Sequence, residues 1–495
     1  MNLLLLVHEW SVIALALALL LADLWLPLSS KRKLGYAAVA GLVVILLYGI
    51  IKPPPYGTTF GGMYVMDGLA LFFKRFFISA AILVLLMSVE FADHIETGIA
   101  EYYALILFAL SGMLFASSAN DFSLLFVSLE LITVTFYVLT SFQRARLASL
   151  EAGVKYLIIG ALSTGFTVFG IALVYGLGKT LNFGQLAAVA GQFKSNPVFL
   201  FGLLLVLTGL GFKIAAFPFQ IWAPDVYQGA PSPTTAFLAV GSKAAGFVLL
   251  LRVLFTAVPQ IALEWSRLLI VISAITILYG NLCAIPQRNI KRLLGYSSIA
   301  HAGYMLLGIS ALSAAGQSAV LYYLSGYLVT VLGAFTVICI ALQSRPAERD
   351  EGGPSHGGLD FNEDISSLAG LNQRSPLLAA TITLALVSLA GIPPLAGFLG
   401  KFLLFKAALA QAPAQHAYYW LVAIAIAGVV ISIYYYFGLI RAIYWSKDPA
   451  DLSPIRTSIP IRISLCACII GMLYLGIRPN LFVKFAADAI QKLTS

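Results

Sequence analysis

Apolar stretches of about 20 residues recur along the chain, parted by short runs of charge, glycine, proline or polar residues. They fall near 3–28, 34–51, 69–89, 101–119, 121–141, 151–178, 197–229, 232–255, 264–286, 291–311, 317–342, 376–411, 417–445 and 459–479. Each is long enough to cross a hydrocarbon core as a helix, so the pattern predicts an all-α polytopic membrane protein of about fourteen spans. Windows 7 and 12 are too long and too rich in Pro and Gly to be single straight rods. The first window has no basic residues ahead of it and is long enough to span, so it reads as a helix and not as a cleaved signal.

Composition agrees. Only 10% of the 495 residues are charged and 60% are apolar, with a mean hydropathy of +0.93. That leaves too little charge to coat a soluble fold. The net charge of +9 does not point to nucleic acid, because the basic residues sit in short gaps between spans, as orientation signals do. Gaps after odd-numbered spans hold Lys31, Arg32 and Lys33; Arg144 and Arg146; Arg288, Lys291 and Arg292; Arg345, Arg349 and Arg374; and Lys447, Arg456 and Arg462. Gaps after even-numbered spans hold little beyond Lys52, Lys179, Lys194 and Arg267. The bias puts both termini outside the cytoplasm and the hydrophilic segment 343–374, with its GGPSHGG run and His356, inside it.

No cofactor motif appears. Cys283, Cys339, Cys466 and Cys468 lie in apolar stretches and read as buried, inert thiols. There is no Gly-rich phosphate loop, haem motif or cluster-binding cysteine run, so any redox chemistry is expected in other chains.

An ionisable group at bilayer depth is expensive unless it faces a polar interior. Five spans hold one near the middle: Glu130 in span 5, Lys213 in span 7, Lys243 in span 8, His301 in span 10 and Lys401 in span 12. Lys213 is sixteen residues after Pro197 and fifteen before Gln228. A single lysine near a helix end snorkels. Five groups at mid-depth predict a buried, water-joined line with Glu130 compensating one lysine. Lysine suits such a line because it exchanges its proton, as arginine does not.

Two helix breaks sit beside these charges. Pro218 follows Lys213 by five residues, and Pro393 and Pro394 precede Lys401 by seven or eight. Interrupted helices at depth mark ion sites in transporters. The broken span is fourth in each of two five-span sets, 101–255 and 264–445, which an odd offset makes inverted repeats; 1–100 precedes them and 459–495 follows. Other charges carry less weight: Lys74 and Arg75 are expected to snorkel, His8, Glu9 and Asp23 lie near the ends of span 1, Glu90, Asp93, Glu96 and Glu101 read as a solvated or subunit-facing run, and Glu151 with Lys155 as an i,i+4 pair.

The blocks FVSLELITVTFYVL, GFKIAAFPFQIWAPDVYQGAP, AVGSKAAGF, RNIKRLLGYSSIAHAGYML and AGIPPLAGFLGKF together resemble the antiporter-like membrane subunits of respiratory complex I, the proton-pumping NADH:quinone oxidoreductase. The resemblance covers about residues 100–445. It is nearest to the N-type (subunit 2), with lysine in span 12 where the M-type has glutamate and without the long lateral helix of the L-type. The resemblance implies a half-channel proton translocase in which Glu130 pairs with Lys213, protons pass Lys243 and His301, and Lys401 leads to the outer side. It further implies a multi-pass place in the bacterial inner membrane among other membrane-arm subunits (K- and M-type neighbours) and lipids. NADH, FMN, iron–sulfur clusters and quinone are then bound by partner subunits and none by this chain. Two alternatives are an Mrp-type cation/proton antiporter subunit, which resembles the same core, and a non-transporting scaffold.

Overall fold

A computed structural model describes residues 3–27, 30–343, 363–445 and 453–491, which are mostly helical. The N-terminal part has α1 (Val7–Asp23), α2 (Lys33–Ile51) and α3 (Gly68–Phe91). Between α2 and α3 runs an antiparallel hairpin of β1 (Gly57–Thr59) and β2 (Tyr64–Met66), with Thr59 opposite Tyr64. There follow α4 (Ile99–Ser117), α5 (Phe122–Thr140), α6 (Leu147–Gly178), the short α7 (Phe183–Ala190), α8 (Pro197–Ile214), α9 (Trp222–Gly229) and α10 (Ser232–Ala257). The second half has α11 (Ala262–Ala284), α12 (Ile290–Ser310), α13 (Ala314–Gln343), α14 (Pro376–Ala390), α15 (Ala396–Gln411), α16 (Ala417–Trp445), α17 (Ile459–Ile477) and α18 (Asn480–Ile490).

Local chemistry sets several starts. Asp67, Asp121, Asn182, Asn196 and Asn289 each accept a backbone N–H of the first turn of α3, α5, α7, α8 and α12, which meets donors that a helix N-terminus leaves open. Pro at N1 opens α8 and α14, where a missing N–H costs nothing.

Among the described residues, twelve helices are long and apolar enough to cross a membrane. The expected count was fourteen. The two windows outside the twelve are α12, diluted by its Ser, His, Lys and Arg residues, and the broken pair α14/α15, each half too short alone. Window 7 is likewise two helices, α8 and α9, of which only α8 qualifies.

The core lies where α10 and α13 pass through the middle: the apolar stretch of α10 is wholly buried and that of α13 nearly so. In the first five-helix set α4 packs on α5, α6 on both α8 and α9, and α10 on α8. In the second, α11 packs on α12, α13 on both α14 and α15, and α16 on α14. The same neighbours recur in both sets. Rim helices α1, α2, α6, α16 and α17 expose apolar side chains such as Val44, Ile158 and Trp420, as surfaces facing lipid or another apolar chain do. Cys466 of α17 is exposed and Cys283 is only half-buried, both against the expectation of burial; Cys339 and Cys468 are buried. Residues 344–362, His356 among them, lie outside the described residues.

Candidate functional site

The first break begins at the end of α8, where Lys213 is the penultimate residue. Ala215 takes a left-handed conformation (φ 57°) and its N–H bonds Phe212 O, while Ala216 N–H bonds Gly211 O at 2.9 Å. Pro218 keeps the chain from resuming the helix, and α9 starts four residues later. The indole N–H of Trp222 also donates to Phe212 O (3.0 Å), and Phe217 N–H donates to Thr276 Oγ1 (3.1 Å). The break's backbone groups are thus met by protein, as an interruption at depth requires. Gly246 of α10 packs against this turn: a Cβ there would stand 2.7 Å from Ile214 Cγ2 and 3.1 Å from Lys213 Cβ.

Lys213 is 4% exposed and its Nζ donates to Tyr156 OH of α6 at 3.3 Å. Glu130 of α5 accepts from Thr164 Oγ1 of α6 at 2.7 Å. The pairing expected between Glu130 and Lys213 is therefore not a contact. Both line one cavity of about 20 Å³ together with Thr133, Ser163 and Thr167, a space on the order of one water molecule. Each has taken a hydroxyl partner from α6 instead.

The second break lies between α14 and α15. Gly391 adopts φ 84° and its N–H bonds Val387 O and Ser388 O. Pro393 and Pro394 follow. Lys401, 3% exposed, reaches back so that its Nζ donates to Leu389 O (2.8 Å) and Ala390 O (3.3 Å), the last carbonyls of α14. A cation there meets acceptors that the helix end leaves open and the negative end of its dipole. The same Nζ lies 4.9 Å from the centre of the Tyr304 ring.

Between the breaks lie Lys243 and His301. A π turn at Leu238–Ser242 immediately precedes Lys243, a local widening of the kind often found at functional sites. Lys243 Nζ donates to Ser298 O (2.7 Å) and bonds Ser298 Oγ of α12. The same Oγ accepts from Tyr327 OH (2.9 Å) and bonds Tyr227 OH (3.2 Å). The Tyr327 ring centre is 5.3 Å from that of His301. His301 Nδ1 bonds Tyr323 OH, and its Nε2 bonds Tyr436 OH at 3.1 Å. Tyr436 OH also bonds Ser297 Oγ. Tyr304, under the Lys401 ammonium, lies 6.0 Å from the His301 ring. Lys243, Ser298, Tyr327, His301, Tyr304 and Lys401 thus form a near-continuous buried run of exchangeable groups and rings. Tyr156 and Trp222, ring centres 5.0 Å apart, lead from Lys213 toward Tyr227 on the far side.

Residues 119–432 match the family described as NADH:quinone oxidoreductase/Mrp antiporter, transmembrane. The chain belongs to that family. NADH-quinone oxidoreductase subunit N of Trichlorobacter lovleyi is 39% identical over 495 residues, covering 99% of this chain and 97% of that protein. A chain of respiratory complex I from Thermus thermophilus, solved with bound Aureothin, superposes with a TM-score of 0.78 at 32% identity, covering 97% of this chain and 99% of that one. A chain of the Mrp complex from Dietzia sp. superposes with a TM-score of 0.81 at 20% identity, covering 100% and 98%; that likeness is one of fold alone.

Within this family fold several charges stand elsewhere than the sequence suggested. Lys74 does not snorkel: it is fully buried in an ion pair with Glu9, because the hairpin and the end of α4 close over what looked like a helix end. Arg252, also buried, forks onto Asp67 (2.9 and 3.1 Å) and bonds Ser117 O (2.8 Å). The Glu151–Lys155 pair forms at 2.6 Å, and Lys155 also reaches Asp225 of α9 (2.8 Å), which Arg292 of α12 bonds from the other side. Tyr227, Tyr304, Tyr323, Tyr327 and Tyr436 were not singled out in the sequence at all. Their only trace was the i,i+4 spacing of Tyr323 and Tyr327. Glu363, just after the undescribed part of the 343–374 loop, is held by Arg146 (2.8 Å), Lys291 (3.0 Å) and Asn289 (3.0 Å). Burial pushes its carboxyl up, but the Lys291 and Arg146 cations outweigh this and hold it below its ordinary 4.5.

Proposed function

We propose that this chain is the N-type (subunit 2) membrane-arm subunit of a proton-translocating NADH:quinone oxidoreductase, and that protons cross through Glu130, Lys213, Lys243, His301 and Lys401. The observation that supports it most directly is the run from Lys243 through Ser298, Tyr327, His301 and Tyr304 to Lys401, in which each member bonds or makes a ring contact with the next inside an apolar fold. Each hydroxyl both donates and accepts, and the imidazole does so through its two nitrogens. A proton arriving at Lys243 can therefore displace another through Ser298 to Tyr327; from Tyr327 to His301, and on past Tyr304 to Lys401, the neighbours are ring contacts, and in this reading water bridges the exchangeable groups there.

Glu130 and Lys213 act as the switch. When the carboxylate closes the small gap it steadies the ammonium, and when it stays on Thr164 the amine releases its proton toward Tyr156. Electron transfer belongs to partner subunits holding NADH, FMN, iron–sulfur clusters and quinone, and this chain has no redox centre of its own. In this reading both termini are periplasmic, the membrane is a bacterial inner membrane crossed fourteen times, segments 101–255 and 264–445 are the two transporting units flanked by 1–100 and 459–495, and the exposed faces meet K- and M-type neighbours and lipid.

Copurification tests the assignment. Pull-down of the tagged chain from native membranes is expected to bring iron–sulfur and NADH-binding subunits; a complex of small membrane subunits alone would replace the reading by an Mrp-type antiporter. Assembled Lys213→Ala complexes are expected to lose most NADH-driven proton uptake, and parental uptake would leave the chain a scaffold.

A further inference from the structure

A second buried charge cluster stands apart from that line, in the N-terminal helices. Glu9 of α1 and Lys74 of α3 form an ion pair in which both side chains are 0% exposed. Tyr64 of β2 bridges them: its OH is 3.0 Å from Glu9 Oε1, 2.9 Å from Leu5 O and 3.2 Å from Lys74 Nζ, and its ring centre is 5.3 Å from that ammonium. Lys74 also donates to Leu114 O at 3.2 Å. Arg252, on the helix that holds Lys243, is tied to Asp67 seven residues before Lys74. Arg75 turns away, to Gly49 O at 3.2 Å.

Stability alone does not account for this arrangement. A buried ion pair is typically worth no more than apolar side chains of the same volume, and this one leaves polar atoms unmet. Glu9 Oε2, His8 Nδ1 and Thr59 Oγ1 are buried with no hydrogen-bond partner among the described residues, and Thr59 is the cross-strand partner of Tyr64. Such groups need an explanation in a native fold. His8 is 2% exposed and forms one wall of a cleft of about 280 Å³ between α1 and α2, whose other walls are the polar Ser11 and Tyr48 and the apolar Val7, Val44 and Ile45. The cleft has the volume of several water molecules, with polar partners for them only on its His8, Ser11 and Tyr48 side, and it lies near a membrane surface, since His8 is the second residue of α1 and Tyr48 is three from the end of α2.

We propose that Glu9, Lys74 and Tyr64 form a further proton-holding site that opens to water through the His8 cleft. The step is an exchange within the pair: the Lys74 ammonium gives its proton to the Glu9 carboxylate, leaving a neutral amine and a neutral acid, and the acid passes the proton by way of His8 to water in the cleft. Nothing is oxidised or reduced, and net charge falls by one only when the proton leaves. The site uses the residue types of the Glu130–Lys213–Tyr156 group, but with carboxylate and ammonium already joined, so it stores a proton where the other pair switches.

The inference rests on the pumping role proposed above, and Lys213→Ala serves as the control for that role. Three variants of the assembled complex are compared in membrane vesicles for protons taken up per NADH oxidised. The charge-free double variant Glu9→Leu/Lys74→Met is expected to assemble, oxidise NADH within about twofold of parent, and take up measurably fewer protons per NADH. Lys74→Arg keeps the charge yet cannot release a proton, and is expected to show the same deficit. Glu9→Asp shortens the acid and is expected to displace the pH profile of uptake, which an anchor would leave in place. Parental stoichiometry in the double variant, or an unmoved profile in Glu9→Asp, overturns the proposal. So does failure of both Lys74 variants to assemble, which would make the pair an anchor. If Lys213→Ala also pumps normally, the underlying reading fails with it; if only the N-terminal variants pump normally, the inference alone falls.

Discussion

Lys401 offers the sharpest separation between a carrier and an anchor. Its ammonium makes one good charge-assisted hydrogen bond, to Leu389 O at 2.8 Å, and one long one, to Ala390 O at 3.3 Å, and it sits 4.9 Å over Tyr304. Bonds to a charged group are worth about 1.5–3 kcal/mol and a desolvated cation–π contact up to about 2. Lys401→Met therefore forfeits about 3–4 kcal/mol of local contacts. It also removes a buried cation with no carboxylate bonded to it among the described residues, whose desolvation costs several kcal/mol. The two effects offset, so the complex is expected to assemble. Lys401→Arg keeps charge, reach and donors, at about 1–3 kcal/mol of overpacking. An anchor tolerates it. A carrier does not, since arginine holds its proton at any accessible pH. With tenfold in rate for each 1.36 kcal/mol, an uncompensated charge several kcal/mol uphill slows transfer through this chain by at least about a hundredfold. NADH-driven proton uptake in vesicles of assembled complex is the assay, with loss expected in both variants. Parental uptake in Lys401→Arg would refute the carrier role and leave a cap on α14.

Three further outcomes follow from the same geometry. Tyr327→Phe deletes one hydroxyl from the Ser298 cluster, costs about 1 kcal/mol of stability, and is expected to cut proton uptake severalfold with unchanged assembly; normal uptake removes Tyr327 from the path. Glu130→Asp withdraws the carboxylate from a gap that already separates it from Lys213, and is expected to slow uptake less than Glu130→Ala, which abolishes most of it; equal effects would show that the position of the charge is irrelevant. Glu363→Gln leaves Lys291 and Arg146 facing each other without their buried counter-charge, a loss of about 3 kcal/mol at pH 7. Because the folded-state carboxyl titrates below its ordinary 4.5, this stabilisation is complete above that value and disappears as pH falls through the folded-state value. The gap in melting temperature between parent and variant is thus expected to close under acid, and a constant gap refutes the assignment.

The spans were legible because short runs of charge, glycine, proline or polar residues part the apolar windows, and the breaks because Pro218, Pro393 and Pro394 cannot extend a helix. What the one-dimensional pattern gives is depth along a helix, and depth is not burial. Glu9, three residues from the start of its helical run after Leu6, looked like an end residue, yet the hairpin at Gly57–Met66 covers it and Lys74 finds it 65 positions away. The tyrosines were hidden for the same reason. Tyr436 meets His301 across 135 positions and Lys243 meets Ser298 across 55, and no local periodicity announces such pairings. The expected Glu130–Lys213 pairing is not a contact, because nothing in the sequence showed that Thr164 and Tyr156 would each claim one partner.

The order of lysine and proline differs between the two breaks, lysine first in one and last in the other, yet the fold brings both lysines to the same kind of place, the end of a first half-helix. What differs is who meets the freed carbonyls. At the first break Ala215 N–H and the Trp222 indole share Phe212 O, so the Lys213 ammonium owes nothing to the helix end and holds only a 3.3 Å bond to Tyr156. Moving it toward Glu130 forfeits one long charge-assisted hydrogen bond and distant contacts with the Tyr156 and Phe212 rings. At the second break the ammonium is itself the donor for Leu389 O and Ala390 O, so moving it would strand two buried carbonyls at about 1–3 kcal/mol each. In the proposed mechanism the energetic asymmetry makes Lys213 the lysine that changes partner and Lys401 the one that stays and changes only its proton. It also gives the reversed order a physical sense: a residue placed before a break can leave it without damage, whereas one that reaches back from beyond the break holds it together.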